Sequence, residues 1–288
     1  SDAYKIGVEY APVEDIRFRG SFQRAVRAAN IFELFSTQSI GLFDLTQGSN
    51  GIYDPCAGTT PTATAAQCAN TGVTAAQYGS IADNPAGQFN TLTGGNPDLE
   101  PETADTYTIG FVATPSMIPG LTVSLDYFDI TVEDLVGTVP QELALDTCLE
   151  TGDTFFCSLV NRGNGGTLWA GQTGYIVATN INTGSLSTSG FDLLASYALD
   201  LDARGGIDFD YVGTMLESLE TKPLPNSTGA DIFDCVGYYG GSCASGGGTE
   251  VANGASPEYR HKASMTWADA EGLFSVTGTW RHFSEVEI

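Results

Sequence analysis

Six cysteines are the residues of this sequence best suited to covalent chemistry, and they occur as three closely spaced pairs. No pair has the two- or four-residue spacing typical of zinc ligands, so disulfides are favoured over a metal site. Short loops close at the least entropic cost, which favours bonds within each pair, and disulfides indicate an oxidising compartment. The expected disulfides are Cys56–Cys68, Cys148–Cys157 and Cys235–Cys243.

The acidic residues do not form a pattern typical of a catalytic or metal centre. Asp208 and Asp210 have the i, i+2 spacing that places both side chains on one face of a strand, which is weak support for acid–base chemistry. Asp98, Glu100 and Glu102 carry oxygens that Ca²⁺ prefers, but no EF-hand-like loop surrounds them, and a solvated loop is the simpler interpretation. We therefore expect no enzymatic activity, no metal centre and no cofactor.

The composition is strongly acidic. The chain has 288 residues, a formal net charge of −24, only 11 Lys and Arg, and two histidines, His261 and His282. Nucleic-acid binding needs a basic patch that contacts phosphates, so we expect no nucleic-acid partner. The sequence has no apolar run of about 18 residues that would predict a transmembrane helix, and no pattern typical of a signal peptide at its start.

Apolar and polar residues alternate in eight segments, which predicts eight β-strands. A tilted strand needs about 9–11 residues to cross a bilayer, and most segments approach this length. The longest, 174–200, is interpreted as one bulged strand with Gly184 and Gly190 as kink sites; the alternative is two strands with a turn at 182–184. The predicted strands are Tyr4–Tyr10, Ile16–Gln23, Thr106–Ala113, Leu121–Phe128, Gly174–Asp200, Ile207–Tyr211, Tyr259–Trp267 and Phe274–Trp280.

Long connections and tight turns alternate between these strands. Each long connection contains one cysteine pair, the first is expected to be mostly loop, and the second contains a predicted helix at Val139–Glu150. Long loops on one side and short turns on the other are typical of bacterial outer-membrane barrels. If 174–200 is one strand, all three pairs lie on the same side; if it is two, the last pair changes side. The long connections run over about 24–104, 133–173 and 217–258.

The two faces of the predicted strands differ in chemistry. One face is apolar and rich in Tyr, Phe and Trp, which suits lipid and its interfacial aromatic girdles, whereas the other carries charges that a water-filled lumen can hold. The alternative is a soluble β-sandwich with an ordinary solvated face. We expect lipid contact at Phe111, Leu125, Leu193 and Phe209, and water contact at Thr108, Ser124 and Asp210.

The directions of the first and last strands predict on which side of the sheet the chain ends lie. The first strand runs toward a short turn and the eighth runs away from one, so both ends lie on the long-loop side. Outer-membrane barrels normally start and finish on the short-turn side. We therefore expect residues 1–288 to be an internal fragment of a larger barrel domain.

Four segments are informative in combination. The run 18–35 leads from a strand into a loop, 94–104 contains the motif NPxLxPE before a strand, and 125–130 and 179–192 follow in order. Together these segments resemble TonB-dependent outer-membrane receptors. One departure is Ala29, where the family usually has proline.

This resemblance implies an all-β, antiparallel transmembrane β-barrel of 22 strands, of which about eight are present, with long disulfide-tied extracellular loops. It implies a location in the cell outer membrane and TonB-energised uptake of a scarce nutrient such as a siderophore, haem, cobalamin or a carbohydrate. The implied partners are the TonB complex, a plug domain, outer-membrane lipid and a small-molecule or oligosaccharide ligand. The competing hypothesis is a non-transporting adhesin or a soluble β-rich binding module.

Six residues are candidates for ligand contact. Arg24 and Arg27 lie at a strand mouth and are expected to meet an anionic substrate or the plug, or else to line the barrel structurally. Aromatic residues in the long loops could stack on a sugar or an aromatic siderophore, although packing within the loop competes with this role. The region 232–244 is the first choice because a short cystine limits the entropy that it loses on binding. The aromatic candidates are Trp169, Phe233, Tyr238 and Tyr239.

Overall fold

The computed structural model describes residues 2–222, 232–239 and 255–287. These residues form two compact units. Unit 1 consists of 2–28, 101–135 and the described residues from 183 onward, and unit 2 consists of 29–100 and 136–182. Unit 2 is therefore built from two connections that the chain makes between strands of unit 1.

Strands dominate the described part of the chain. The strands are β1 Tyr4–Val13, β2 Ile16–Arg27, β3 Ser39–Asp44, β4 Gln88–Gly94, β5 Glu102–Ala113, β6 Leu121–Glu133, β7 Val136–Gly137, β8 Val160–Asn161, β9 Tyr175–Thr179, β10 Ile181–Asn182, β11 Ser185–Asp200, β12 Gly206–Lys222, β13 Phe233–Asp234, β14 Tyr259–Ala268 and β15 Ser275–Phe283. The helices are α1 Ile31–Phe35, α2 Ala65–Asn70, α3 Gln141–Thr151, α4 Thr154–Leu159 and a 3-10 turn at Asp202–Arg204. No helix among the described residues is long and apolar enough to cross a membrane.

Unit 1 is an antiparallel sheet with the strand order β1-β2-β5-β6-β11-β12-β14-β15, and the short β13 also pairs with β12. Each strand pairs with the next along this order, so the eight predicted strands correspond to eight strands of one sheet. The predicted all-β antiparallel fold is confirmed. It was predictable because the two-residue alternation of a half-buried strand is visible in the sequence.

The prediction of one strand over 174–200 is wrong. The segment divides into β9, β10 and β11, and only β11 belongs to the sheet of unit 1. The break lies at Thr183, whose backbone N–H and hydroxyl both donate to the carbonyl oxygen of Leu135, at 2.6 and 2.8 Å. Because β9 and β10 pair within unit 2, the main sheet keeps eight long strands, to which the two-residue β13 is added. The expected irregularity at Gly190 is present as a register shift between β11 and β12.

The first long connection is more ordered than the sequence indicated. It contains α1, β3, α2 and β4, and β3 and β4 join β9 and β8 in a four-stranded sheet. These elements are too short to show a sustained period, and the pairing of β4 with β9 is parallel and distant in sequence, so no local pattern predicted it. The helix predicted at Val139–Glu150 is confirmed as α3. The strand β12 extends to Lys222, beyond the predicted end at Tyr211.

Unit 2 has a hydrophobic core of its own. Phe89, Leu145, Leu168 and Ile176 are fully buried, and Ile81 is nearly so. Burying a side chain of this size contributes about 1.5–3 kcal/mol. Two connections of low periodicity therefore still bury enough apolar surface to fold as a compact unit.

One face of the sheet in unit 1 is polar. The guanidinium of Arg19 donates to Asp126 (Nε to Oδ1, 2.7 Å) and to the hydroxyl of Ser124 (3.0 Å). Gly110 lies between Arg19 and Asp126 in the register, and a Cβ atom there would collide with Asp126. Glycine at this position therefore lets the ion pair form across the intervening strand.

The opposite face is apolar. Its aromatic side chains contact each other between strands, with ring centroids 4.7 Å apart for Phe22 and Tyr107 and 6.4 Å apart for Phe18 and Phe111. Ile109, between Tyr107 and Phe111 on the same strand, remains 66% exposed. An extended, exposed apolar face of this kind indicates a surface that contacts lipid or another apolar partner. The alternation of the two faces confirms the predicted pattern.

Candidate functional site

Unit 2 is organised around one buried ion pair. The guanidinium of Arg162 makes two bonds to the carboxylate of Asp54, at 2.6 and 3.0 Å, and both side chains are only 2% exposed. Arg162 also donates to the hydroxyl of Thr71 and to the carbonyl oxygen of Gly166, both at 2.8 Å. Asp54 accepts a further bond from the backbone N–H of Cys56. The pair therefore joins three separate segments of unit 2 and satisfies its own charges.

Sequence reasoning missed this pair, although a signal was present. Arg162 is the single basic residue among 29–100 and 136–182, which together contain ten acidic residues. A single arginine among ten carboxylates is expected to form an ion pair, because its guanidinium can donate two parallel hydrogen bonds to one carboxylate. Which of the ten carboxylates it meets depends on the tertiary structure.

Disulfides fix the same unit. The structure contains Cys56–Cys68 and Cys148–Cys157, with Cα atoms 5.7 and 4.8 Å apart. Both are local, as their spacing favours. Cys235 is buried and disulfide-bonded, whereas Cys243 lies outside the described residues.

We expect the third disulfide to be Cys235–Cys243. With the other four cysteines paired, Cys243 is the remaining local partner. Peptide mapping of the unreduced protein should recover these two cysteines in one linked peptide. A bridge from Cys235 to either of the other two pairs would contradict the prediction.

The exposed surface of unit 2 is acidic. Since Arg162 is buried with Asp54, the other nine carboxylates of the unit have no basic residue within it to balance them. On α3, partial shielding from water and the like charges of Glu142 and Glu150 raise the pKa of Asp146. Because β12 continues to Lys222, the third long connection is shortened to 223–258, and this range adds four acidic residues and no basic ones.

The structure places the two arginine candidates on opposite faces. The pairing of β2 with β5 is continuous over 16–27, so Arg24 shares the apolar face with Phe22, and Arg27 shares the polar face with Arg19. Each is opposite a carboxylate: Nε of Arg24 lies 2.7 Å from Asp105, and Nε of Arg27 lies 2.5 Å from Glu102. Of the two, only Arg27 therefore lies on the polar face of the sheet.

The aromatic candidates belong to two different units of the structure. Trp169 belongs to unit 2, is half-buried, and donates its indole N–H to the carbonyl oxygen of Ala82 at 3.0 Å. Phe233, Tyr238 and Tyr239 belong to unit 1 and are 37%, 46% and 47% exposed. Within the candidate region 232–244, residues 240–244 lie outside the described residues.

No group of three or more metal-ligating side chains occurs among residues 2–222, 232–239 and 255–287. In the 98–102 segment, the carboxylate of Glu102 accepts a hydrogen bond from Arg27, and the backbone N–H of Glu100 donates to the side-chain oxygen of Asn182.

Comparison with known proteins gives one consistent result. The model of the TonB-dependent receptor-like β-barrel family matches residues 2–286. Among curated protein sequences, none matches the chain. Several solved structures share its fold at low sequence identity.

Three of these structures illustrate the relation. A mutant of the ferric enterobactin receptor PfeA from Pseudomonas aeruginosa, in complex with enterobactin, is 13% identical, with a TM-score of 0.50 over 97% of this chain and 27% of its own. The siderophore receptor PirA from Acinetobacter baumannii is 13% identical, with a TM-score of 0.45 over 99% and 30%. The iron transporter FrpB from Neisseria meningitidis is 13% identical, with a TM-score of 0.43 over 96% and 26%. This chain therefore spans less than a third of each of these proteins.

The family match covers nearly the whole chain, and the sheet has the long connections, short turns and two unlike faces that an outer-membrane barrel requires. The soluble sandwich is therefore no longer an alternative for the fold. The chain belongs to the TonB-dependent receptor family, supplies about eight strands of its β-barrel, and lies in the bacterial outer membrane.

Proposed function

We propose that the complete protein is a receptor that imports a scarce nutrient across the outer membrane with energy supplied through TonB. The observation that carries this proposal is the family match over 2–286, on a sheet whose two faces suit lipid and water respectively. In this proposal 1–288 is part of one barrel domain, whose plug domain and remaining strands lie outside it, and unit 2 is formed by the outer connections of that barrel.

A plug domain inside the barrel is the proposed partner of the polar face. A recess of about 400 Å³ on this face is lined by Arg19, Ser124, Ser196 and Asp210, together with apolar side chains. Asp210 is exposed there, so its carboxylate is available to donors from another domain. The remaining proposed partners are outer-membrane lipid, on the apolar face, and the TonB complex.

Ligand recognition is proposed to lie in the long connections. Binding residues often lie in loops that a rigid scaffold positions, and unit 2 is held by two disulfides and the buried pair of Arg162 with Asp54. A rigid surface loses little conformational entropy when a ligand binds. The exposed Tyr238 and Tyr239 supply aromatic area in the third connection.

The charge of these connections favours an uncharged or cationic nutrient. An anionic ligand, such as a ferric catecholate complex, is attracted by positive potential and repelled by negative potential. Unit 2 and the connection 223–258 contain one basic residue in total, and that residue is buried. A neutral oligosaccharide meets no such repulsion and can use aromatic rings and amide or hydroxyl groups.

Growth of a strain whose chromosomal gene for the full-length receptor is deleted tests the proposal. The gene is returned on a plasmid in strains with and without TonB, and growth is limited in turn by a ferric catecholate, haem, cobalamin or a neutral oligosaccharide. We expect growth that requires both the receptor and TonB on an uncharged nutrient. Receptor-dependent growth on the ferric catecholate would contradict the charge argument, and growth that does not need TonB would contradict the uptake mechanism.

Replacing Tyr238 and Tyr239 together with alanine should weaken ligand binding to whole cells. Stacking of a ring on an aromatic side chain contributes about 0.5–1.5 kcal/mol per contact, which corresponds to a tenfold weaker affinity at the upper end. The control is Tyr10→Ala, since Tyr10 is also exposed but lies on the apolar face of β1. Unchanged affinity at normal surface expression would remove this connection from the site and leave the first long connection, 24–104, as the next candidate.

A further inference from the structure

Two histidines face each other across neighbouring strands of unit 1. His261 of β14 is directly opposite His282 of β15 in the register. Their ring centroids are 5.4 Å apart and their planes are inclined by 33°. Directly opposite residues on one face of an antiparallel pair are the closest cross-strand neighbours that a sheet provides.

Aromatic side chains enclose His261. Tyr211 stacks on its ring at 5.5 Å, and the edge of Trp280 approaches to 4.5 Å. Tyr259 lies 5.3 Å away, and its hydroxyl is hydrogen-bonded to that of Tyr211. The two tyrosine hydroxyls are thus engaged with each other, and neither is bonded to the imidazole.

Both ring nitrogens of His261 are shielded from water and lack a hydrogen-bond partner among the described residues. A neutral imidazole has one donor and one acceptor nitrogen, and buried polar atoms in folded proteins are nearly always satisfied. Packing alone does not account for a histidine here, because leucine or phenylalanine would fill the same space without this cost. The unsatisfied nitrogens next to a second histidine indicate a ligand that both rings can bind.

We propose that His261 and His282 bind one divalent transition-metal ion of the Zn²⁺, Ni²⁺ or Cu²⁺ class. Imidazole nitrogen suits these ions. A metal–nitrogen bond of about 2.0–2.1 Å puts a ring centroid about 3.2 Å from the metal, so two rings at a tetrahedral angle lie about 5.2 Å apart. The observed centroid separation of 5.4 Å is close to this value.

The position in the sheet supports this assignment. His261 is the third residue of β14, His282 is the last but one of β15, and both strand ends adjoin the side of the long connections. Both histidines lie on the apolar face of the sheet. The Tyr and Trp side chains around them are typical of the membrane–water boundary, where water can complete the coordination shell. The described residues offer no third ligand, so the ion would hold two protein ligands and link β14 to β15.

The test uses the full-length receptor, purified in detergent without a histidine tag and stripped with a chelator. Titration with NiCl₂ or ZnCl₂ by calorimetry should show one more bound ion per receptor in the wild type than in His282→Ala. Because His282 is exposed, this change should leave the barrel folded. The added ion should also raise the Tm of the wild type, since it binds only the folded state.

Trp280→Phe is the matched control, because it alters the enclosure of His261 and keeps both imidazoles. We expect it to retain the extra ion, whereas His261→Phe and His282→Ala should each weaken its binding at least tenfold. Equal stoichiometry and equal metal-dependent Tm in wild type and His282→Ala would overturn the proposal, as would the absence of any bound ion in the wild type. Neither result depends on which nutrient the receptor transports.

Discussion

Replacing Arg162 with methionine is expected to destabilise unit 2 by about 3–5 kcal/mol, because it leaves the carboxylate of Asp54 buried without a counter-charge. Both side chains are 2% exposed, so water cannot replace the lost partner. The change also removes the bond to Thr71, in a third segment, and the bond to the carbonyl oxygen of Gly166 within the loop that follows Arg162. Native-state hydrogen exchange of the full-length receptor should show the loss as faster exchange of the amides of Cys56 and Gly163–Gly166, without a matching change in the strands of unit 1.

Two controls distinguish the effect of breaking the buried ion pair from the effect of removing a charge elsewhere. Arg17→Met removes an exposed pair with Glu9, whose side chains are 61% and 67% exposed and 3.6 Å apart, and exposed pairs contribute only about 0–1 kcal/mol. The double variant Arg162→Met with Asp54→Leu removes both buried charges and should recover part of the loss. Equal exchange rates in Arg162→Met and Arg17→Met would show that the pair does not organise unit 2.

Replacing Leu193 with arginine is expected to cost the barrel about 2–4 kcal/mol if the position lies near the bilayer midplane. Leu193 of β11 is aligned with Leu125 and, through it, with Phe111 on the apolar face. An arginine there must place its guanidinium in hydrocarbon or bend it toward the interface. Reversible folding of the full-length receptor into lipid vesicles, followed by urea titration, measures the cost.

The adjacent Leu194 is the matched control. It is the same residue type with a similar exposure, 44% against 37% for Leu193, but it lies on the polar face opposite Ser124. Leu194→Arg should therefore cost clearly less than Leu193→Arg. Ser124 itself is a poor control, because it is buried and bonded to Arg19 and Asp126. Equal costs at 193 and 194 would contradict the assigned faces.

The strands of unit 1 were predictable because each shows a local alternation of apolar and polar residues. Apolar and polar residues alternate along β1, β2, β5, β6, β14 and β15 because the two faces of each strand have different surroundings. This alternation can be read from one segment without knowing which strand pairs with it. Tight turns between them fixed the antiparallel order. The family resemblance of 18–35 and 94–104 then identified the class of barrel, which the match over 2–286 confirmed.

Unit 2 was not predictable in the same way. The elements β7, β8 and β10 are two residues long, and β4 finds its partner β9 more than 80 positions later in the chain. The same distance explains the error at 174–200: β9 continues the alternating pattern of β11 but pairs in the other unit. Local pairing of the cysteines could be expected from spacing, because it depends only on the length of a small loop.

The sequence by itself determined the fold class, the eight long strands of the main sheet, its two faces and the two local disulfides of unit 2, since these follow from short-range periodicity and spacing. Only the tertiary structure decided that Arg162 meets Asp54, that Arg24 and Arg27 point to opposite faces, and that His261 lies against His282. Each of these depends on register or on contacts between distant segments, and a shift of one residue in register would move every side chain to the other face.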